Sequence, residues 1–202
     1  MLRYSLEQRA LYLGDPFETA IQHWHIDVVA ERFEGGGDAP VSWPVGWARV
    51  TIAERGHGAN LYEVFDSIDG DHETVAAALF NPIDGELSEE LEDRYPLILG
   101  DVLLCERTWI QPRYRGHKLG LLIKAMSISA LGRGCGIAVT YPAPFEGDYE
   151  DAERDRAIAA LGAHWAALGF EHFKSGVWVL DLSTITFQER TDDLLASLHL
   201  AT

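Results

Sequence analysis

Residues 110–120 read Ile-Gln-Pro-Arg-Tyr-Arg-Gly-His-Lys-Leu-Gly. A strand pattern runs into this stretch over residues 103–110. An apolar helical pattern leaves it through Leu119, Leu122, Ile123, Met126, Ile128 and Leu131. A strand that ends in a basic, glycine-containing turn and then opens a helix builds an anion pocket. The first helical turn has backbone N–H groups without partners, and the macrodipole adds partial positive charge there. Arg113, Arg115 and Lys118 add full charges. A pyrophosphate suits such a pocket. Lysine at 118 carries a Cβ and disfavours positive φ, so Gly116 is the expected source of backbone freedom.

R-G-H-K-L-G, followed by L-L-I-K, resembles the acyl-CoA-binding motif Q/R-x-x-G-x-G/A of the GNAT family of N-acetyltransferases. Arg115 takes the first motif position, Lys118 the first glycine position and Gly120 the last. A second stretch, A-H-W-A-A-L-G-F at residues 163–170, resembles the family's helix-to-strand element F-Y-x-x-x-G-F, with Leu168, Gly169 and Phe170 matching its close. A helix and a strand separate the two, in the family's order. The resemblance covers residues 97–182. It implies an α/β fold with a mixed, mostly antiparallel sheet, a splayed parallel strand pair and flanking helices. It also implies acetyl-CoA, or another acyl-CoA, as cofactor.

Composition bounds the class. The chain has 202 residues, 47% of them hydrophobic, with six tryptophans, which suits one domain with a sizeable core. The expected division is an acceptor-side part over 1–96 and a cofactor-binding core over 97–182. No apolar run reaches the length of a membrane span and the N-terminus lacks a signal-peptide core, so no membrane partner and a cytoplasmic location are expected. Cys105 and Cys135 make no disulfide framework and have no metal-type neighbours. Net charge is −16, from 32 acidic and 16 basic residues. That balance points away from nucleic acid as a partner, since nucleic-acid-binding surfaces cluster Lys and Arg. It also sets off the three cations between residues 113 and 118. Composition leaves a homodimer open.

Along the chain, residues 2–13 suit a short helix or arm. Residues 20–33 and 45–54 alternate like strands and suit an antiparallel hairpin around a turn at 35–40. Residues 61–67 and 72–80 read as helices, with Asp69 or Asp71 as a cap. Residues 81–96, acidic and with two prolines, read as a surface loop. Then come a central strand (96–111), a helix (118–131), a parallel strand (137–141) and an amphipathic helix (151–168). A hairpin around Ser175-Gly176 and a last helix near Leu194, Leu195 and Leu198 complete the order β-β-α-α-β-α-β-α-β-β. The resemblance places the two early helices between the first two strands, whereas here they follow the second.

Acyl transfer from a thioester to an amine needs a held cofactor, a neutral amine, a stabilised oxyanion and a departing thiolate. The resemblance assigns the pantetheine arm and thioester oxygen to the end of the central strand, at Trp109, Ile110 and Gln111. It assigns the pyrophosphate to Arg113, Arg115, Gly116, His117, Lys118, Leu119 and Gly120. An alkylammonium has a pKa near 10, so roughly one part in a thousand is neutral at pH 7. A general base therefore helps, and Glu106 on the central strand is the candidate, with a structural ion pair as the bland alternative. The family often uses a tyrosine in the second motif to protonate the thiolate. Here that position holds Trp165, whose indole delivers no proton at neutral pH and is expected to pack against the cofactor or substrate. Tyr141 and Tyr149 are the alternative acids. His23 and His25 share a strand face, but no third ligand is evident and no metal is expected.

The leading expectation is an acyl-CoA-dependent N-acetyltransferase that takes a small-molecule or peptide amine as acceptor by direct attack. The alternatives are a weak or inactive acyl-CoA-binding module, and an unrelated α/β domain whose basic loop binds another phosphate compound.

Overall fold

The computed structural model describes residues 2–9, 20–32, 40–56, 58–96, 98–142 and 151–199. Three strands lead: β1 (Leu2–Arg9), β2 (Ile21–Arg32) and β3 (Val41–Ala53). Three short helices follow, α1 (Leu61–Asp66), α2 (Gly70–Leu79) and α3 (Glu89–Arg94). Next come β4 (Asp101–Ile110), α4 (Leu119–Leu131), β5 (Cys135–Thr140) and α5 (Asp151–Trp165). The hairpin β6 (Glu171–Lys174) and β7 (Val177–Asp181) and the helix α6 (Thr186–His199) end the chain. The seven strands make one sheet in the order β1-β2-β3-β4-β5-β7-β6. Its paired neighbours are antiparallel except β4 and β5, which run parallel. This is the expected mixed α/β architecture, a mostly antiparallel sheet with one parallel pair and flanking helices.

β4 reads Val102-Leu103-Leu104-Cys105 without alternation because both faces of the sheet are covered there. On one face Val102 and Leu104 join Val64 and Phe65 of α1 and Val75 and Leu79 of α2. On the other, Leu103 and Cys105 join Ile123 and Ile128 of α4, together with Leu168, Phe170 and Leu194. Asp69 caps α2: its carboxylate accepts from the Asp71 and His72 amides, both at 3.0 Å. An N-cap carboxylate satisfies orphan amides and complements the helix dipole.

Four elements differ from the sequence expectation. Residues 2–9 form an edge strand, not a helix or arm; residues 10–13 lie outside the described residues. Most of β1 is exposed, so it shows no helical stripe, and its register is held by the ladder from Leu2↔Ala30 to Arg9↔His23. The acidic stretch 81–96 contains α3, whose Leu91 is fully buried and whose first turn carries Glu89, Glu90 and Glu92. Those acids favour a helix N-terminus, a role that overall acidity conceals. The central strand begins at Asp101 rather than 96. The early helices follow three strands, not two. The expected turn at 35–40 falls outside the described residues except for Pro40.

Gly162 shows how α5 meets the sheet. A Cβ there would lie 2.2 Å from Cε2 of the Trp178 ring. Gly→Ala inside a helix ordinarily stabilises by about 1 kcal/mol. Here overpacking should reverse the sign, and Gly162→Ala is expected to destabilise by roughly 1–3 kcal/mol. Thermal or denaturant unfolding of the two proteins checks this; a stabilised variant would show that α5 does not sit this close to β7.

Candidate active site

The site starts where two strands part. β4 and β5 pair from Asp101↔Cys135 to Leu104↔Val139. β5 ends at Thr140, while β4 continues to Ile110. The last link is a side chain: Thr140 Oγ1 donates to the Cys105 carbonyl at 2.9 Å. Beyond it the strands diverge around a cavity of about 620 Å³. Residues 106–110 of β4 form one wall, and Ala157, Leu161, His164 and Trp165 of α5 form another. Successive strand residues turn their backbone groups to opposite sides, so alternate amides and carbonyls of this part of β4 face the gap.

The basic turn closes the far end. Arg115, Gly116, Lys118, Leu119 and Gly120 line the cavity. Lys118 is the N-cap of α4 and lies in the left-handed region, φ 56°. The backbone thus keeps the conformation that glycine would supply, at a local cost of roughly 1–2 kcal/mol. Its side chain makes no cap, and the first turn of α4 has no acidic residue, so neither satisfies the orphan amides there. Gly116, φ 85°, has open space where a Cβ would stand. Arg115 Nε donates to the Ile110 carbonyl at 3.0 Å and braces the turn. Lys118 Nζ donates to Ser197 Oγ at 3.2 Å, tying the turn to α6.

Glu106 stands between this cavity and a second one. Arg49 of β3 pairs with Arg107, while the next residue, Val50, pairs with Cys105. Glu106 is therefore the extra residue of a β-bulge, which re-aims its side chain. It lines both the large cavity and a smaller one of about 240 Å³. The smaller cavity is walled by His23, His25 and Arg49 from the strands and by Asp69, Asp71 and His72 from the start of α2. Thr51 Oγ1 donates to Glu106 Oε1 at 2.5 Å. Its single proton is thereby committed, so its 2.7 Å contact with His23 Nδ1 requires the ring to donate. A chain His23–Thr51–Glu106 results. At 3.7 Å the direct His23–Glu106 contact is too long for a hydrogen bond. The same logic gives His72 a proton on Nδ1, donated to Asp69 at 2.7 Å.

Burial pushes the Glu106 carboxyl up, but His23, Thr51 and the charges of His72 and Arg49 outweigh it and hold the group below the ordinary range. It is a carboxylate at neutral pH.

The sequence-derived candidates separate into two groups. Glu106, Trp109, Ile110, Arg115, Gly116, Lys118, Leu119, Gly120, Tyr141 and Trp165 line the large cavity. Gln111, Arg113 and His117 do not: the Gln111 amide is committed to the Val45 carbonyl at 2.9 Å, and the Arg113 guanidinium lies on the Tyr114 ring. Tyr149, the other candidate acid, lies outside the described residues. Trp165 is nearly buried and meets Gly120, whose Cβ would stand 3.8 Å from its ring. Sequence reading missed Lys124, Thr140 and His164 in the large cavity and Thr51 and His72 near Glu106. Each lies in an apolar helix or strand pattern or at a cap, where a polar residue announces nothing without its partner.

No protein-family model matches the chain. No curated protein matches it either. Two crystal structures resemble its course. One is a tyrosine-to-phenylalanine mutant of KacT, 11% identical over 96% of this chain and 98% of that chain, TM-score 0.43. The other is the KacTA–DNA complex, 10% identical over 96% and 99%, TM-score 0.43. Likeness of this order carries no residue correspondence. The second structure corrects one expectation: net charge pointed away from nucleic acid as a partner, yet this neighbour is found in a complex with DNA, so that exclusion does not stand. Net charge averages a surface and takes no account of further chains in an assembly. Among the described residues, no helix is long and apolar enough to cross a membrane.

Glu106→Gln tests the buried carboxylate. A carboxyl with a depressed folded pKa stabilises above its ordinary value, 4.5, and loses that contribution as pH falls through the folded value. The stability advantage of the wild type over Glu106→Gln should therefore shrink below that pH in denaturant unfolding. An advantage that grows toward acid would refute the assignment.

Proposed function

We propose that this protein is an acyl-CoA-dependent N-acyltransferase that passes an acetyl group from acetyl-CoA to a primary amine of a small molecule or peptide. The gap between β4 and β5 carries the reading. It joins a basic, uncapped helix N-terminus at one end to a buried carboxylate at the other, through a trough walled by the part of β4 that runs past β5 and by the apolar face of α5. Residues 97–182 act as the cofactor-binding core and residues 1–96 as the acceptor side.

The amides at Lys118–Leu121, with Arg115 and Lys118, would hold the pyrophosphate. The open edge of β4 around Trp109 and Ile110 would hold the pantetheine amides, and a strand amide would meet the thioester oxygen. A preorganised donor of this kind contributes about 2.7–4 kcal/mol. Acetyl-CoA supplies an activated acyl group there. The smaller cavity is the acceptor side. Glu106, anionic and reached from both cavities, attracts and orients the acceptor, which attacks as the neutral amine after losing one proton to solvent, and takes a second proton as the C–N bond forms. Thr51 and His23 fix its orientation and keep it ionised. Tyr141, which lines both cavities, sits beside the same junction.

Calorimetry with acetyl-CoA and free CoA tests binding, and a thiol-release assay across a panel of amines tests turnover. Both ligands should bind, with at least one amine consumed. Glu106→Gln should lower kcat/KM by about 10²–10⁴-fold and leave acetyl-CoA affinity unchanged. Binding without turnover of any amine would favour an acyl-CoA-binding module, the reading that Trp165 in the usual acid position supports. Absence of binding would end both.

A further inference from the structure

Among the described residues, Lys124 is a buried cation with no carboxylate partner. It lies in the middle of α4 and is 2% exposed. Its Nζ donates to Thr140 Oγ1 at 2.9 Å. It stands 3.9 Å from the centre of the Trp165 ring and 5.4 Å from that of Phe170. Among the described residues, no carboxylate lies within ion-pair distance of it. The titratable groups that face it are Cys105 of β4, with Glu106 beyond, and His164 of α5. Burial keeps the Cys105 thiol protonated and the His164 ring, with Lys124 beside it, biased toward neutral. Burying an ammonium with two aromatic faces and one hydroxyl is costly. An unbranched apolar side chain would fill the space at lower cost.

The location is specific. Thr140 is the side chain that ends the β4–β5 pairing, and Lys124 holds that side chain. Lys124, Thr140 and Trp165 line the cavity at the junction that Glu106 reaches from the opposite face of β4. Trp165, which the resemblance sets where a tyrosine would supply a proton, offers none. Its ring instead carries the ammonium.

Building on the acyl-transfer reading, we propose that Lys124 is the proton donor to the departing thiolate, with Trp165 and Thr140 as its positioning residues. The amine nitrogen bonds to the thioester carbonyl carbon, and its proton goes to Glu106. The C–S bond breaks with its electron pair on sulfur, and a proton leaves Lys124 Nζ for that sulfur. Solvent then takes the Glu106 proton and returns one to Lys124, so the sum is thioester plus amine giving amide plus thiol. Burial holds the Lys124 ammonium down at about 8, close to an ordinary thiol at about 8.5. Proton exchange between groups so matched is nearly thermoneutral.

The test reads the thiol itself. Free CoA is bound to wild type, Lys124→Met and Thr140→Val, and its thiol is titrated by ultraviolet thiolate absorbance. An ammonium beside the sulfur lowers a thiol pKa; with Lys124 and the sulfur matched closely enough to exchange a proton, that lowering is about one unit, so the value should be lowest in wild type and about one unit higher in Lys124→Met. Thr140→Val should fall between. In turnover, kcat of the wild type should decline above about pH 8, following Lys124, and Lys124→Met should lose that alkaline limb together with most of kcat, at unchanged acetyl-CoA KM. Equal thiol titrations in wild type and Lys124→Met, with CoA bound to both, would overturn the Lys124 assignment and leave the acyl-CoA reading intact. Failure of the wild type to bind CoA would instead remove the acyl-CoA reading. Lys124→Met should fold at least as stably as wild type, since it removes an uncompensated charge. Should it fail to fold, Thr140→Val decides the matter, because an unaltered thiol titration there also overturns the arrangement.

Discussion

One hydrogen bond sets the geometry of this molecule: Thr140 Oγ1 to the Cys105 carbonyl. Up to that point β4 and β5 satisfy each other's backbone. Past it, β4 continues to Ile110 without β5 beside it, so backbone groups on that edge find other partners, as the Ile110 carbonyl does in Arg115 Nε. The cavity between the strands, its apolar wall on α5 and its basic mouth at α4 all follow from that divergence. The hydroxyl ends the pairing at a fixed place because it is itself held by Lys124.

The junction is built from adjacent residues serving different faces of one strand. Cys105 belongs to the core under α4. Glu106, displaced by the bulge, joins the polar network of His23, Thr51 and Arg49 on the other face. A carboxylate and an ammonium thus stand on opposite sides of β4, and both are removed from bulk water. Their environments act differently. Donors and positive charge around Glu106 keep it ionised, whereas burial around Lys124 makes its proton easier to give up. Separation by a strand keeps the two from pairing, which would neutralise both.

Sequence reading reached the parts whose signal is local. The basic turn at 113–120 is a contiguous run of charge and glycine before an apolar helix, and its conformation follows from chemistry within that run. The parallel β4–β5 pair, the α5 exit at Gly169 and the β6–β7 hairpin are likewise written in patterns of a few residues. What escaped depends on long-range pairing. Strand β1 exists because β2 offers it a ladder. The face used by Glu106 depends on a bulge that arises only in register with β3. Lys124 reads as one polar residue in an apolar helix until Thr140 and Trp165 are brought beside it. Residues 111, 113 and 117 lie beside the cavity rather than in its wall: proximity in sequence to a turn does not by itself bring a side chain into a cavity.

Amide hydrogen exchange with and without CoA is the most direct measurement of the central claim. Ligand in the gap should slow exchange at those amides of residues 106–110 that face β5 and at the first turn of α4, with little change in β1 and β2. Protection confined to the basic turn, with residues 106–110 exchanging as before, would mean that the phosphate end binds without a chain entering between the strands. That result would contradict the account.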